Sequence, residues 1–301
     1  MARPLATPAA LRPDCSRCFA LCCTAFGFTR SADFAIDKPP ASPCPNLAGD
    51  FSCTIHDRLR PRGFAGCTAF DCFGAGQAVS QGLFHGSSWR DNPGSAPDMF
   101  AAFRVLRQLH EMLWHLAQAE AVAYSPDAAD EVRHLQAKVR EVAEGDLGTV
   151  LTADVGSLHL QVGEALRWVS EEVRAGYLAD GPQRNDLAPG ADLAGANLRG
   201  SVLCGADLRG ACLIAADLRG ADLTAVDLLG ADLRDARLHD ADLSQALFLT
   251  EAQIAAARGS LSTRLPAGLK RPDHWIPSPP PPAAALPVPP SQRKRLDSPE
   301  C

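Results

Sequence analysis

The chain has 301 residues, 29 of them basic and 35 acidic, for a net charge of −6. That balance argues against a general nucleic-acid-binding protein, whose footprint is basic, and no stretch approaches the ~20 apolar residues of a membrane span. The start, Met1-Ala-Arg-Pro-Leu-Ala-Thr-Pro, lacks the apolar run of a secretion signal, so the expected location is the cytoplasm, where thiols stay reduced and a disulfide framework is not expected.

Eight of the eleven cysteines fall in a Gly- and Pro-rich head, residues 10–85: Cys15, Cys18, Cys22, Cys23, Cys44, Cys53, Cys67 and Cys72. Cys-x2-Cys lets two thiolates from one tight turn reach a single ion. Side chains of adjacent residues diverge in irregular backbone, so Cys22 and Cys23 rarely serve one mononuclear site. The pattern therefore suggests two four-thiolate sites that divide this pair, or one cluster plus a second site. Thiolate-only ligation suits zinc or an iron–sulfur cluster and not Mg or Ca. The alternative is a set of buried structural thiols, but an apolar core would not select Cys-x2-Cys and Cys-Cys, and a region this short buries too little to fold alone. His56 reads as a surface histidine before a substitute ligand. Phe73-Gly74-Ala75-Gly76 has no strand before it and reads as a turn.

The string Ser42-Pro43-Cys44-Pro45-Asn46-Leu47, the stretch from Cys53 to Arg60-Pro61, and Cys67 with Cys72 resemble the CxxCxxCC family. That family is described as zinc- or iron-chelating and includes a flagellin lysine methylase branch. The resemblance covers residues 15–72 and implies a metal held by the eight cysteines. Two departures, a CxxCxxxCC first block and a Pro61 six residues before Cys67, leave the choice between zinc and iron open.

A Gly/Ser/Pro link, Gly86 to Pro97, precedes a helical middle, residues 97–178. The first helix is expected from about Pro97 to Ala123, with Met99, Phe103, Leu106, Leu109, Leu113 and Leu116 on one face. The second opens with Ser125 as cap and Pro126 in the first turn. The third runs from about Asp154 to Arg174. Three such helices bury one another as a small bundle, which is expected to link the head to the next domain and to cap its open first coil. His110 and His115 lie about 140° apart around the first helix, a poor arrangement for one metal.

From Ala191 the chain counts in fives, within a domain expected over 187–258. Leu holds one position of eleven successive pentads from Leu193 to Leu243, Phe248 fills a twelfth, and a small residue stands two before each. A period of five fits neither helix nor strand, but it fits a short extended stretch followed by a corner, with Gly at many corners. Four corners close a square, so residues twenty apart stack. The A(D/N)LXX pattern resembles the pentapeptide-repeat family, whose fold implies a right-handed quadrilateral β-helix. Thr250 with Gln253 reads as a capping box opening a short closing helix, and the Pro-rich tail, residues 277–301, is expected to be disordered. The fold class expected overall is mixed and multi-domain: a small Cys-rich metal-binding head, an α-helical middle, the β-helix and the tail.

Three functions compete. The first is a non-enzymatic, metal-stabilised binding or scaffold protein with a protein partner. The second is an iron–sulfur redox or methyltransferase-like enzyme, although no Ser/His/Asp set, nucleotide loop or cofactor fingerprint is found, so no catalytic residue is assigned. The third is a topoisomerase-binding mimic of DNA. Three coils make a rod of roughly 14 Å, a length at which duplex DNA carries roughly eight charges. Residues 191–250 hold nine Asp and five Arg, a net of −4, about half of that. Mimicry, nucleic acid and membrane are therefore not the expected partners.

Overall fold

A computed structural model describes residues 9–177 and 187–275. Its α-helices are α1 (Leu21–Ala25), α2 (Ala65–Thr68), α3 (Ala75–Gln77), α4 (Ala96–Val122), α5 (Pro126–Ala143), α6 (Leu147–Leu151), α7 (Val155–Ala175) and α8 (Glu251–Ala256). The expected boundaries hold because their end signals are local. Ser125 Oγ accepts the Ala128 amide at 3.2 Å to open α5, and Asp154 accepts the Ser157 amide at 3.0 Å to open α7. Such caps contribute about 1 kcal/mol each. The apolar stripe of α4 is buried as its spacing requires, against α5 and α7.

The pentads form a coil that returns on itself every twenty residues. Asp192 pairs with Cys212 and Cys212 with Asp232. Asn197, Asp217, Arg237 and Arg258 form a second ladder, Val202, Asp222, Asp242 and Arg264 a third, and Asp207, Asp227 and Leu247 a fourth. Each rung is a single parallel bridge, and among the described residues there is no β-strand. The expected right-handed quadrilateral β-helix is therefore corrected: the regular structure of this chain is helical, and the pentads stack as turns. The reason is the length of each side. Only three residues, such as Ala206-Asp207-Leu208, run extended before the corner, too few for pairing to spread beyond one residue.

Inside the coil the ladder from Leu193 to Leu243 is buried. Asp and Asn do more than face outward. Each accepts the amide two residues on, as Asp222 does from Thr224 at 3.0 Å and Asp227 from Leu229 at 2.9 Å, and so supplies the polar partner of the corner. The corner residue itself takes positive φ whether or not it is glycine: 63° at Gly210, 56° at Ala215 and Ala225, 57° at Asp235.

Two features depart from the expected domain pattern. The helical middle does not sit on the open first coil. It lies along the fourth side, where Leu247 and Phe248 share a core with α4, α5, α7 and residues Leu21, Phe73 and Val79 of the head. Trp114 Nε1 and Gln118 Nε2 donate to the Leu249 carbonyl at 3.2 and 2.9 Å. The coil also outlives its sequence signature, since Arg258 and Arg264 continue two ladders after α8. Thr250 and Gln253 form the expected capping box, and Trp275 plugs the end against Leu249, Ile254 and Ala257. The expectation for 277–301 falls outside the described residues. No described helix is long and apolar enough to cross a membrane.

Candidate metal centre

The head has two parts. Residues around α1 and α3 belong to the main core, whereas Ile55, Leu59 and Phe64 form a small cluster of their own with Phe28, Phe34, Ile36 and Cys53 packed on it. The eight cysteines straddle this division. Cys18 and Cys72 meet at α3, where Gly76 makes room: a Cβ there would stand 2.6 Å from Cys18 Sγ and 3.8 Å from Cys72 Sγ. Gly74, at φ +77°, turns the chain into α3, and a Cβ on it would strike the Ala10 carbonyl at 2.0 Å. The expected turn is thus a cradle for two thiols. On the other side the Cys44 amide donates to the Cys23 carbonyl at 3.0 Å, and Leu47 pairs with Cys53 in a hairpin, which gathers Cys23, Cys44 and Cys53.

Placement thus gathers Cys18 with Cys72, and Cys23 with Cys44 and Cys53. The mutual influence of the thiols does not divide them further: Cys22 is moved first by its hydrogen bond with Cys23 and only later by Cys18 and Cys72, Cys15 by burial and then Cys18 and Cys23, and Cys67 by burial and then Cys23, Cys44 and Cys53. The sulfurs of Cys22 and Cys23 are 3.8 Å apart. The described cysteines are all free. Among the described residues no three His, Cys, Asp or Glu side chains converge on one metal-sized site, so the groups are gathered but not closed.

Burial pushes the Cys67 thiol up to about 12 and Cys72 to about 11. The hydrogen bond with Cys23, then burial and neighbouring thiols, lifts Cys22 well above its ordinary value, while the same bond draws Cys23 down to about 7 with help from Lys38. Backbone amides of Leu21 and Ala20 at Cys18, and of Gly76 and Gly74 at Cys72, work toward the thiolate. Amides aimed at crowded sulfurs with little positive charge nearby favour the thiolate, the form in which a thiol takes up a thiophilic cation. Zinc and iron–sulfur clusters fit such a set; oxygen-seeking cations do not.

Lys38 is the residue that sequence reasoning misses. It is buried, and its ammonium donates to the carbonyls of Ser42 at 2.8 Å, Pro39 at 3.2 Å, Thr24 at 3.3 Å and Phe26. Burial lowers its pKa against the pull of Cys44, Cys23, Cys22 and Cys67. Nothing in the Asp37-Lys38-Pro39 context signals this. His56 is exposed, and His110 is spent on the Phe73 carbonyl at 2.7 Å. Cys204 and Cys212 lie on the coil, apart from both groups.

Residues 190–224 and 211–248 match the model of the family Pentapeptide repeats, in eight copies. The chain is 50% identical to the uncharacterized protein YybG of Bacillus subtilis (strain 168) over 266 residues, 88% of this chain and 95% of that one. It is also similar to a pentapeptide repeat protein from the Arabidopsis thaliana thylakoid lumen, at 25% identity over 33% of this chain and 70% of the other, with a TM-score of 0.21 that carries no further argument. The family match covers the pentads alone; the resemblance drawn for residues 15–72 rests on its own motifs.

Proposed function

The chain belongs to the same family as YybG of Bacillus subtilis and carries pentapeptide repeats, and from there we propose that it is a non-enzymatic binding protein whose head is held by thiolate-bound metal. The observation that carries this reading is the crowding of eight free thiols in the head, with Cys18 and Cys72 meeting at Gly76 and the Cys22 and Cys23 sulfurs 3.8 Å apart. Cys15, Cys18, Cys22 and Cys72 would hold one metal or cluster, and Cys23, Cys44, Cys53 and Cys67 the other. Zinc or iron in these places would supply the charge that turns crowded thiols into thiolates, and so lock the small Ile55–Phe64 cluster onto the main core. The coil sides not covered by helices offer a surface to a protein partner, and a reducing cytoplasm would keep the thiols available.

The test is elemental analysis with an absorption spectrum on anaerobically purified protein. Zinc or iron should be present, Cys18→Ser and Cys44→Ser should each lower metal per chain, and Cys212→Ser should not. Metal-free protein, or metal content indifferent to Cys18 and Cys44, sinks the chelation reading. A brown, oxygen-sensitive protein whose cluster turns over electrons would displace the non-enzymatic reading in favour of a redox enzyme.

A further inference from the structure

The second side of the coil is the richest in cationic side chains. The residue after each Leu stacks as Arg199, Arg219 and His239, twenty apart. The outward position is Asn197, then Asp217, then Arg237 and Arg258, so the usual carboxylate gives way to two arginines bridged as neighbours. Arg60 closes the recess from the head, with Nη2 donating to the Ala255 carbonyl of α8 at 2.7 Å. Arg60, Arg199, Arg219, Arg237, His239 and Arg258 line a cavity of about 780 Å³.

Counter-charge is present but insufficient. Asp217 holds Arg219 at 2.5 Å, and Asp235 holds Arg258 at 2.8 Å and stands 4.0 Å from Arg60. Asp240, the one carboxylate of the lining, accepts from the Ser262 hydroxyl. Among the described residues neither Arg199 nor Arg237 has a carboxylate within ion-pair distance. Two polar atoms lack partners as well: Arg60 Nε, a donor, and His239 Nδ1 are shut from solvent without a hydrogen bond among the described residues. Buried polar atoms left so are costly, and here both belong to side chains of the same cationic recess.

We propose that this recess binds a small anion carrying at least two phosphoryl groups. A concave surface lined by five arginines against one carboxylate concentrates anions, even on a chain of net charge −6. Guanidinium forks match phosphoryl oxygens bidentately, and rungs about 4.8 Å apart place Arg199, Arg219 and His239 to grip successive groups of one ligand. The cavity is too large for a single orthophosphate to touch all of them. A nucleic-acid strand is disfavoured by extent: the cationic surface is about three rungs tall, and the adjoining sides present Asp222, Asp242 and Asp232. The proposal does not depend on whether the head binds metal.

Isothermal titration of the full chain at constant ionic strength, with inorganic pyrophosphate, tripolyphosphate, orthophosphate and citrate, decides it. Pyrophosphate and tripolyphosphate should saturate one site, with orthophosphate and citrate at least tenfold weaker. Arg199→Gln and Arg237→Gln should each weaken tripolyphosphate about tenfold with unchanged thermal midpoints, since neither guanidinium holds the fold together. Arg167→Gln, exposed on α7, should bind as the parent does. Absence of saturable oligophosphate binding, or binding indifferent to Arg199 and Arg237, overturns the site. Equal affinity for citrate overturns the phosphoryl assignment.

Discussion

Arg174, in the last turn of α7, fastens the helical layer to the coil, and replacing it with Met removes the fastening while keeping most of its volume. Its Nη1 lies 3.1 Å from Asp207 Oδ2 and its Nε 2.9 Å from the Gly205 carbonyl. The two side chains are only 12% and 11% exposed, so solvent screens the pair little. Breaking a buried pair costs about 3–5 kcal/mol when the surviving charge is stranded. Asp207 is not stranded, because Arg209 also holds it, and behind them Arg209 Nε reaches fully buried Asp227 at 3.5 Å. Burial alone would raise the pKa of Asp207, yet the hydrogen bond from Arg209 and the charges of Arg174 and Arg209 outweigh it and lower it. The loss is then about one charge-assisted bond to Asp207 and one to Gly205, or roughly 3 kcal/mol at pH 7. Urea melts followed by helical circular dichroism should show this as a lower midpoint at constant slope. A cycle with Asp207→Asn should give a coupling of at least about 1 kcal/mol. A loss below about 0.5 kcal/mol with no coupling would mean that the contact is incidental and that apolar packing alone seats α7.

Leu218→Asp should cost more than about 4 kcal/mol, since it places an unpaired charge at a fully buried rung, whereas Arg219→Asp, which breaks a solvent-screened surface pair, should be mild by comparison; equal midpoints in a denaturant melt would refute the inward and outward assignment. Ala215→Gly should stabilise by about 1 kcal/mol by relieving a non-glycine φ of 56° at an exposed corner, and a lower thermal midpoint would refute it. His115 and Asp71 share a cavity of about 370 Å³ between head, α4 and coil, and burial moves them oppositely, His115 down to about 4 and Asp71 up to about 6. Between pH 6.5 and 4 the unfolded chain gains a proton that folded His115 refuses, so that histidine removes about 3 kcal/mol of stability on acidification. Asp71 binds its proton earlier in the folded state and offsets this over nearly the same range. His115→Leu should therefore become more stable relative to the parent as pH falls through that window, and parallel stability curves would show that the histidine is not buried neutral.

How much of this could be read in advance depends on the range of each signal. Caps at Ser125 and Thr250, and the Leu ladder, are set by residues within one turn or one pentad, and they are legible. The strand character of the coil is not, because the repeat fixes where the chain turns but leaves only one residue per side to pair. Arg258 and Arg264 keep the ladders going without any pentad signature, since their bridges come from backbone geometry that α8 hands on. Docking along the fourth side has one faint mark in the sequence, Leu247 standing where Asp207 and Asp227 stand in earlier coils. In the head, the expectation that the side chains of Cys22 and Cys23 diverge is not met, because the short helix α1 leaves their sulfurs 3.8 Å apart. Lys38 is not legible, because its site is made only when the end of α1, with the Thr24 and Phe26 carbonyls, meets the lysine's own segment, with those of Pro39 and Ser42. The cationic recess lies between: Arg199, Arg219 and His239 align once the twenty-residue register is written out, but Arg60 joins them only through the fold.

A quarter turn per pentad makes insertion tolerance discrete. Five extra residues between Leu208 and Leu228 would leave the interior pattern of Leu and Ala intact, and a short-range inspection would find nothing wrong. They would nonetheless rotate Asp207 away from the side that carries Asp227, Leu247 and Leu249, so Arg174 and Trp114 could no longer be satisfied together. Only a change of twenty residues restores every side to its neighbour. Ahead of Arg199 the first coil has no such partner among the described helices, so single pentads can be gained or lost there without moving Arg199 from the recess or Gly205 from Arg174. Length variation among related chains should accordingly gather at the N-terminal edge of the coil, and be confined to multiples of twenty beyond it.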